Sequence, residues 1–82
     1  LNVFLSRRAK KTLQEFPAPI RRRIELKVAE LFESPYPEGC RKLRGGPNVY
    51  RLRVGHYRIL YTILSAGEIL VFRIARREEA YQ

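Results

Sequence analysis

The sequence predicts an α+β domain in the order β-α-α-β-β-β, with a helical hairpin packed on one face of an antiparallel sheet. Three observations carry that expectation. Val49 to Leu64, VYRLRVGHYRILYTIL, is a pair of alternating runs around Gly55-His56, and a Gly-X pair between such runs specifies a hairpin with a II′-type turn. Residues 7–34 contain two stretches of helical apolar spacing separated by Pro17-Ala18-Pro19. Short apolar runs at residues 2–5 and 68–76 complete the set of strands.

In chain order, Asn2 to Leu5 reads as a strand with Val3 and Leu5 on one face and Phe4 on the other. Ser6 is a helix N-cap, its hydroxyl placed to accept from an otherwise unpaired backbone N–H. The helix from Arg7 to about Phe16 aligns Ala9, Leu13 and Phe16. Pro17 closes it, because a residue preceding proline is pushed away from helical angles. Pro19 suits the first turn of a second helix, along which Ile20, Ile24, Val28 and Leu31 recur up to about Ser34. Arg21, Arg22, Arg23 and Lys27 lie off that stripe, either as a solvated face or as a phosphate-contacting patch.

Ser34 to Gly39 cannot continue a helix and forms a loop. Arg41 to Pro47, RKLRGGP, is a basic, glycine-rich lead without the spacing of a phosphate-binding P-loop. It is either a plain connector or an RNA-backbone contact through Lys42 and Arg44. With a two-residue turn at Gly55-His56, Val54 faces Tyr57, Arg53 faces Arg58, Leu52 faces Ile59 and Arg51 faces Leu60. The period of two puts Tyr50, Leu52, Val54, Tyr57, Ile59, Tyr61 and Ile63 on one face, and Arg51, Arg53 and Arg58 on the other. Like charges directly opposite on a sheet cost up to ~1 kcal/mol per pair, so this second face is expected to meet an anion. Ser65-Ala66-Gly67 supplies a turn into a last strand, Glu68 to about Arg76. Its Leu70, Phe72 and Ile74 are expected to face the helices, leaving Ile69, Val71 and Arg73 on the arginine face.

Eighty-two residues suit one domain spanning 1–82. Seventeen Lys and Arg against eight acidic residues, with no Asp at all, leave a net charge of +9 and favour a polyanionic partner. The single cysteine, Cys40, excludes an internal disulfide framework and a multi-cysteine zinc site, and fits a reducing cytosol. No run approaches the ~20 apolar residues of a membrane span and no signal-peptide core is visible. The chain therefore reads as a soluble cytoplasmic protein, its start at Leu1 being that of a trimmed N-terminus. His56, the only histidine, falls in the turn.

Several chemistries are excluded. A Ser-His-Asp triad is impossible without Asp, although Glu could in principle serve as the acidic partner. A two-carboxylate glycosidase needs separated acids, and Glu78-Glu79 are adjacent. A two-metal nuclease needs clustered carboxylates that the strand face does not offer. What remains is Arg51, Arg53, Arg58 and Arg73 on the sheet, then Arg76, Arg77, Glu78, Glu79 and Tyr81 at its end. Guanidinium forks bind phosphate bidentately and stabilise the charge of a pentavalent phosphorane. Tyrosine can stack on a base or exchange a proton. Such groups suffice for metal-free RNA cleavage by the substrate's own 2′-OH, and equally for a basic face that only binds a polyanion.

KLRGGPNVYRLRVGHYRILYTI (Lys42 to Ile63), ILVFRIARREEAY (Ile69 to Tyr81) and the opening VFLSRRAKKTLQEFPAPIRRRI together resemble the RelE toxins of the RelE/ParE superfamily. The resemblance covers nearly the whole chain and is most specific in YRLRVGHYRILY. It implies a toxin of a type II toxin–antitoxin pair that enters the ribosomal A site and cuts mRNA there, without metal or cofactor. The 2′-OH would be the nucleophile, leaving a 2′,3′-cyclic phosphate and a 5′-OH. Carried over by position, the implied catalytic set is Arg51, Arg53, Arg58, Arg77 and Tyr81, with Lys42, Arg44, Arg73 and Arg76 as further RNA contacts. Arg51 and Arg53 stand where some members have lysines, and arginine cannot act as a base at neutral pH. The base then falls to Tyr81, with Glu79 second. The implied partners are the ribosome with its A-site mRNA and a small, acidic, RelB-like antitoxin. On the same scaffold the alternatives are ParE-like inhibition of DNA gyrase and a non-catalytic RNA-binding module.

Overall fold

Gly55 adopts φ +59°, the left-handed value that the first position of a II′ turn requires and that glycine alone adopts without strain. The hairpin it closes has the expected register, Val54 opposite Tyr57 through Arg51 opposite Leu60. Around it, the computed structural model describes residues 1–76. The elements are β1 (Asn2–Leu5), α1 (Arg7–Glu15), α2 (Ala18–Glu30), β2 (Cys40–Lys42), β3 (Val49–Val54), β4 (Tyr57–Ser65) and β5 (Glu68–Arg76). They build a five-stranded sheet in the order β1-β5-β4-β3-β2. Both helices pack on one face, where Ala9, Leu13, Ile24, Val28 and Leu31 meet Leu52, Val54, Ile59, Tyr61, Ile69, Val71 and Ile74. No helix among the described residues is long and apolar enough to cross a membrane.

The α+β architecture is as expected, with three corrections. First, Cys40–Lys42 is a strand, not a connector, paired antiparallel to β3 at the sheet edge. Second, the sheet is mixed, because β1 runs parallel to β5. Third, Ile69 and Val71 are fully buried in the helix-side core, where they were expected on the open face. The cause is a β-bulge: Leu60 pairs with Arg73 but Tyr61 pairs with Val71, so Phe72 is an extra residue in β5. Before the bulge, odd-numbered residues point to the helices. After it Ile74 does so and Arg73 takes the opposite face.

Ser6 holds this irregularity in place. Its Oγ accepts from the Ala9 N–H at 3.1 Å, as an N-cap should, and donates to the carbonyl of Phe72 at 3.1 Å. Its backbone N–H also donates to the Val71 carbonyl at 2.8 Å. One hydroxyl thus starts α1 and satisfies the bulged carbonyl. Two members of the arginine run also serve the fold: the Arg21 guanidinium donates to the Phe16 carbonyl at 3.3 Å, and that of Arg23 lies against the Gly55 turn.

Between the helix-side face and the loop before β2, Tyr61 stacks on Tyr50 with centroids 5.6 Å apart, and Tyr36 meets Tyr50 edge-on at 5.4 Å. The Tyr61 hydroxyl donates to the Pro35 carbonyl at 2.7 Å, pinning that loop to the core. Burial, and then the neighbouring Cys40, hold the Tyr61 hydroxyl well above the ordinary tyrosine pKa. Tyr50 is raised too, by desolvation first and then by its hydrogen bond with Tyr36.

Ser6→Ala should lower stability by about 1–3 kcal/mol, the sum of a lost cap and a lost hydrogen bond to a part-buried carbonyl. Ser6→Thr should recover most of it, as read by urea midpoints. Tyr61 gives a pH signature. Above about pH 10 an unfolded tyrosine ionises while folded Tyr61 keeps its proton, so the unfolded state is favoured and stability falls as pH rises. Urea unfolding of Tyr61→Phe between about pH 8 and about pH 11 should show a shallower decline than the parent.

Candidate functional site

Strand register organises the face opposite the helices into rows. In one row Arg41 of β2 pairs with Arg51 of β3, Arg51 with Leu60 of β4, and Leu60 with Arg73 of β5. In the next, Arg53 pairs with Arg58, and Arg58 with Ala75. Residues opposite one another across strands share a face, so five arginines from four strands open on one surface. None of the six described glutamates falls in these rows: Glu15, Glu25 and Glu30 are on the helices, Glu33 and Glu38 in the segment after α2, and Glu68 stands at the start of β5, on this face by alternation from Ile69 but five residues before Arg73.

The arginines differ in setting. Arg58 is 2% exposed and Arg51 8%, whereas Arg53 and Arg41 are open to solvent and Arg73 is half-buried. The Arg58 guanidinium donates through Nη1 to the Tyr57 carbonyl at 3.3 Å. Its Nε is buried without a hydrogen bond among the described residues. A cation removed from water in this way costs several kcal/mol unless an anion or acceptors compensate. Beside it, an open cavity of about 360 Å³ is lined by Gly39, Cys40, Arg41, Arg51 and Arg53.

Of the residues named from the sequence, the structure gathers Arg51, Arg53, Arg58 and Arg73. Lys42 pairs with Tyr50, and Arg76 with Tyr57, which places both on the helix-bearing side of the sheet. Arg44 is exposed in the loop between β2 and β3. Arg77 and Tyr81, like Glu79, lie outside the described residues. The residue missed was Arg41. Its only signal in the sequence is a three-residue alternation, Cys40-Arg41-Lys42, too brief to be told from a loop.

The chemical capacity of this face is anion recognition. Fixed guanidinium groups, part of them desolvated, can grip a phosphodiester bidentately and offset charge that builds up on it. No group of three or more His, Cys, Asp or Glu residues placed to hold a metal occurs among the described residues. His56 is exposed in the β3–β4 turn. Tyr50 and Tyr61 lie on the opposite face with raised pKa values, so neither serves this surface as a proton acceptor.

Comparison with known proteins agrees with this geometry. Residues 3–81 match the family described as the ParE toxin of the type II toxin–antitoxin system parDE. The chain is 33% identical over 86 residues to the toxin RelE3 of Methanocaldococcus jannaschii, which covers 99% of this chain and 96% of the relative. It is 32% identical over 76 residues to the mRNA interferase toxin RelE of Escherichia coli, covering 89% of this chain and 79% of that protein. In the RelB–RelE antitoxin–toxin complex from Methanococcus jannaschii, one chain superposes with a TM-score of 0.77 at 29% identity, over 96% of this chain and 95% of the other. With a helical hairpin on one face of its sheet and arginine rows on the other, this chain belongs to the RelE/ParE family of type II toxin–antitoxin toxins.

Proposed function

We propose that this protein is the toxin of a type II toxin–antitoxin pair and acts as a ribosome-dependent mRNA endonuclease. The observation that carries this is the pair of arginine rows, centred on an arginine that is 2% exposed and set toward the end of β5 away from Glu68. A surface meant only to attract a polyanion has no need to bury Arg58. Desolvation makes that charge count more against a phosphate, and it comes pre-oriented.

In the step proposed, the ribose 2′-oxygen forms a bond to the adjacent phosphorus while the P–O5′ bond breaks. The 2′-OH proton passes to a base and the departing 5′-oxygen takes up a proton, leaving a 2′,3′-cyclic phosphate and a 5′-OH. Arg51, Arg53 and Arg58 hold the phosphate and neutralise the added charge, and Arg73 extends the grip toward β5. Arginine keeps its proton at neutral pH, so none of these is the base. By resemblance to RelE toxins Arg77 is a further catalytic cation, and Tyr81 is the first candidate for proton transfer, with Glu79 second. The work of the described residues is electrostatic and orientational.

The partner that restrains such a toxin is a small, acidic, RelB-like antitoxin, supported by the RelB–RelE assembly in which a structural neighbour was solved. The matching family is described as ParE toxins, and ParE-like inhibition of DNA gyrase is the alternative activity on the same scaffold. The arginine rows favour the nuclease, because a gyrase inhibitor needs no pre-oriented phosphate cradle.

Cleavage of A-site codons on programmed ribosomes is the test. Arg53→Ala, exposed and therefore safe for the fold, should lower the rate by about 10²–10³-fold, the range for losing one stabiliser of developing charge. Arg58→Ala, Arg77→Ala and Tyr81→Phe should fall at least as far. Parent-like cutting by these variants would remove the site assignment. Inhibition of supercoiling with translation unaffected would favour the gyrase activity instead.

A further inference from the structure

The first arginine row is wider than one phosphate. From Arg73 on β5 to Arg41 on β2 it crosses three strand spacings, or ~14 Å at the usual separation of sheet strands. Its β2 end opens into the cavity of about 360 Å³ lined by Gly39, Cys40, Arg41, Arg51 and Arg53. Arg51 belongs both to this cavity and to the rows around Arg58. Arg41 is directly opposite Arg51 across the strand pair. β2, only three residues long, thus sets a further cation at the cavity.

We infer that the β2-edge cavity is a second phosphate subsite, in which Arg41 binds the RNA phosphate next to the scissile one. This deepens the nuclease function proposed above and rests on it for the identity of the ligand as RNA. With one phosphate over Arg53 and Arg58, the chain of the RNA leads past Arg51 and off the sheet at β2. There the next phosphate meets Arg41 with Arg51 on its other side. Gly39, with φ +92°, turns the chain at the cavity's rim.

The test is a cycle between side chain and phosphate. An oligoribonucleotide spanning a cut codon, with 2′-deoxyribose at the cleavage position so that it cannot be cut, is made with methylphosphonate at each flanking linkage in turn. Binding to the parent and to Arg41→Ala is followed by fluorescence anisotropy across a salt series. One flanking substitution should weaken the parent several-fold and leave Arg41→Ala unchanged. Arg41→Ala should also have a salt slope shallower by about 0.7, the value for one single-strand phosphate contact. Arg41→Lys, which keeps the charge, should retain part of the coupling. Equal losses for parent and variant at every linkage, or an unchanged slope, overturn the subsite, as does an Arg41 effect seen only with an acidic antitoxin. A-site cleavage by the parent is scored separately. Cutting without coupling removes the subsite and leaves the nuclease. Coupling without cutting leaves an RNA subsite and removes the nuclease.

Discussion

Two demands meet on β5 that a regular strand cannot satisfy together. Ile69 and Val71 fill the core beneath the helices, while Arg73 has to lie on the other face beside Leu60 and Arg51. Residues 69, 71 and 73 share one parity, so uninterrupted alternation would either bring the Arg73 guanidinium under the helices or turn both apolar side chains outward. The first costs several kcal/mol in desolvation. The second forgoes roughly 1.5–3 kcal/mol per side chain. The extra residue at Phe72 resolves the conflict by changing phase between the core half of the strand and the arginine half. Ser6 then ties the bulged carbonyl to the start of α1, so the helix layer and the arginine face are adjusted to each other through a single hydroxyl.

That division of labour extends across the molecule. The helix side is apolar and well packed, down to a tyrosine whose hydroxyl closes on a loop carbonyl. The other side holds arginines opposite arginines, Arg41 to Arg51 and Arg53 to Arg58. Like charges set opposite one another in a sheet are unfavourable as a pair, and Arg58 holds its charge almost out of water. Stability is therefore drawn from one face and given up on the other. A surface that grips a charged phosphate is expected to look this way, because its cations are in place before the anion arrives.

The legible parts of this fold were those governed by local rules. Gly55-His56 between two alternating runs fixes both the turn and the register of β3 against β4, and with them the shared face of Arg51, Arg53 and Arg58. Ser6 and Pro17 mark the limits of α1 through capping and proline sterics. What escaped was set by pairing at a distance. Nothing in Asn2–Leu5 states that its partner is β5 or that it runs parallel to it. A three-residue strand such as Cys40–Lys42 has too few alternations to register, so Arg41 went unnoticed as a member of the site. The Phe72 bulge carries no Gly or Pro signal, and a strict period of two then assigned Ile69 and Val71 to the wrong face.

The arginines also constrain where the proton can go. A lysine at position 51 or 53 could be tuned downward by its cationic neighbours until it accepted a proton near neutrality, whereas a guanidinium cannot. The same neighbours that would depress a lysine would depress a tyrosine hydroxyl placed among them, since cations favour its ionised form. Tyr50 and Tyr61 experience the reverse, packed on the apolar side where burial holds their protons on. In the nuclease proposed above, the acceptor would therefore have to be a hydroxyl or carboxylate set among these arginines, whose charge would favour its ionised form.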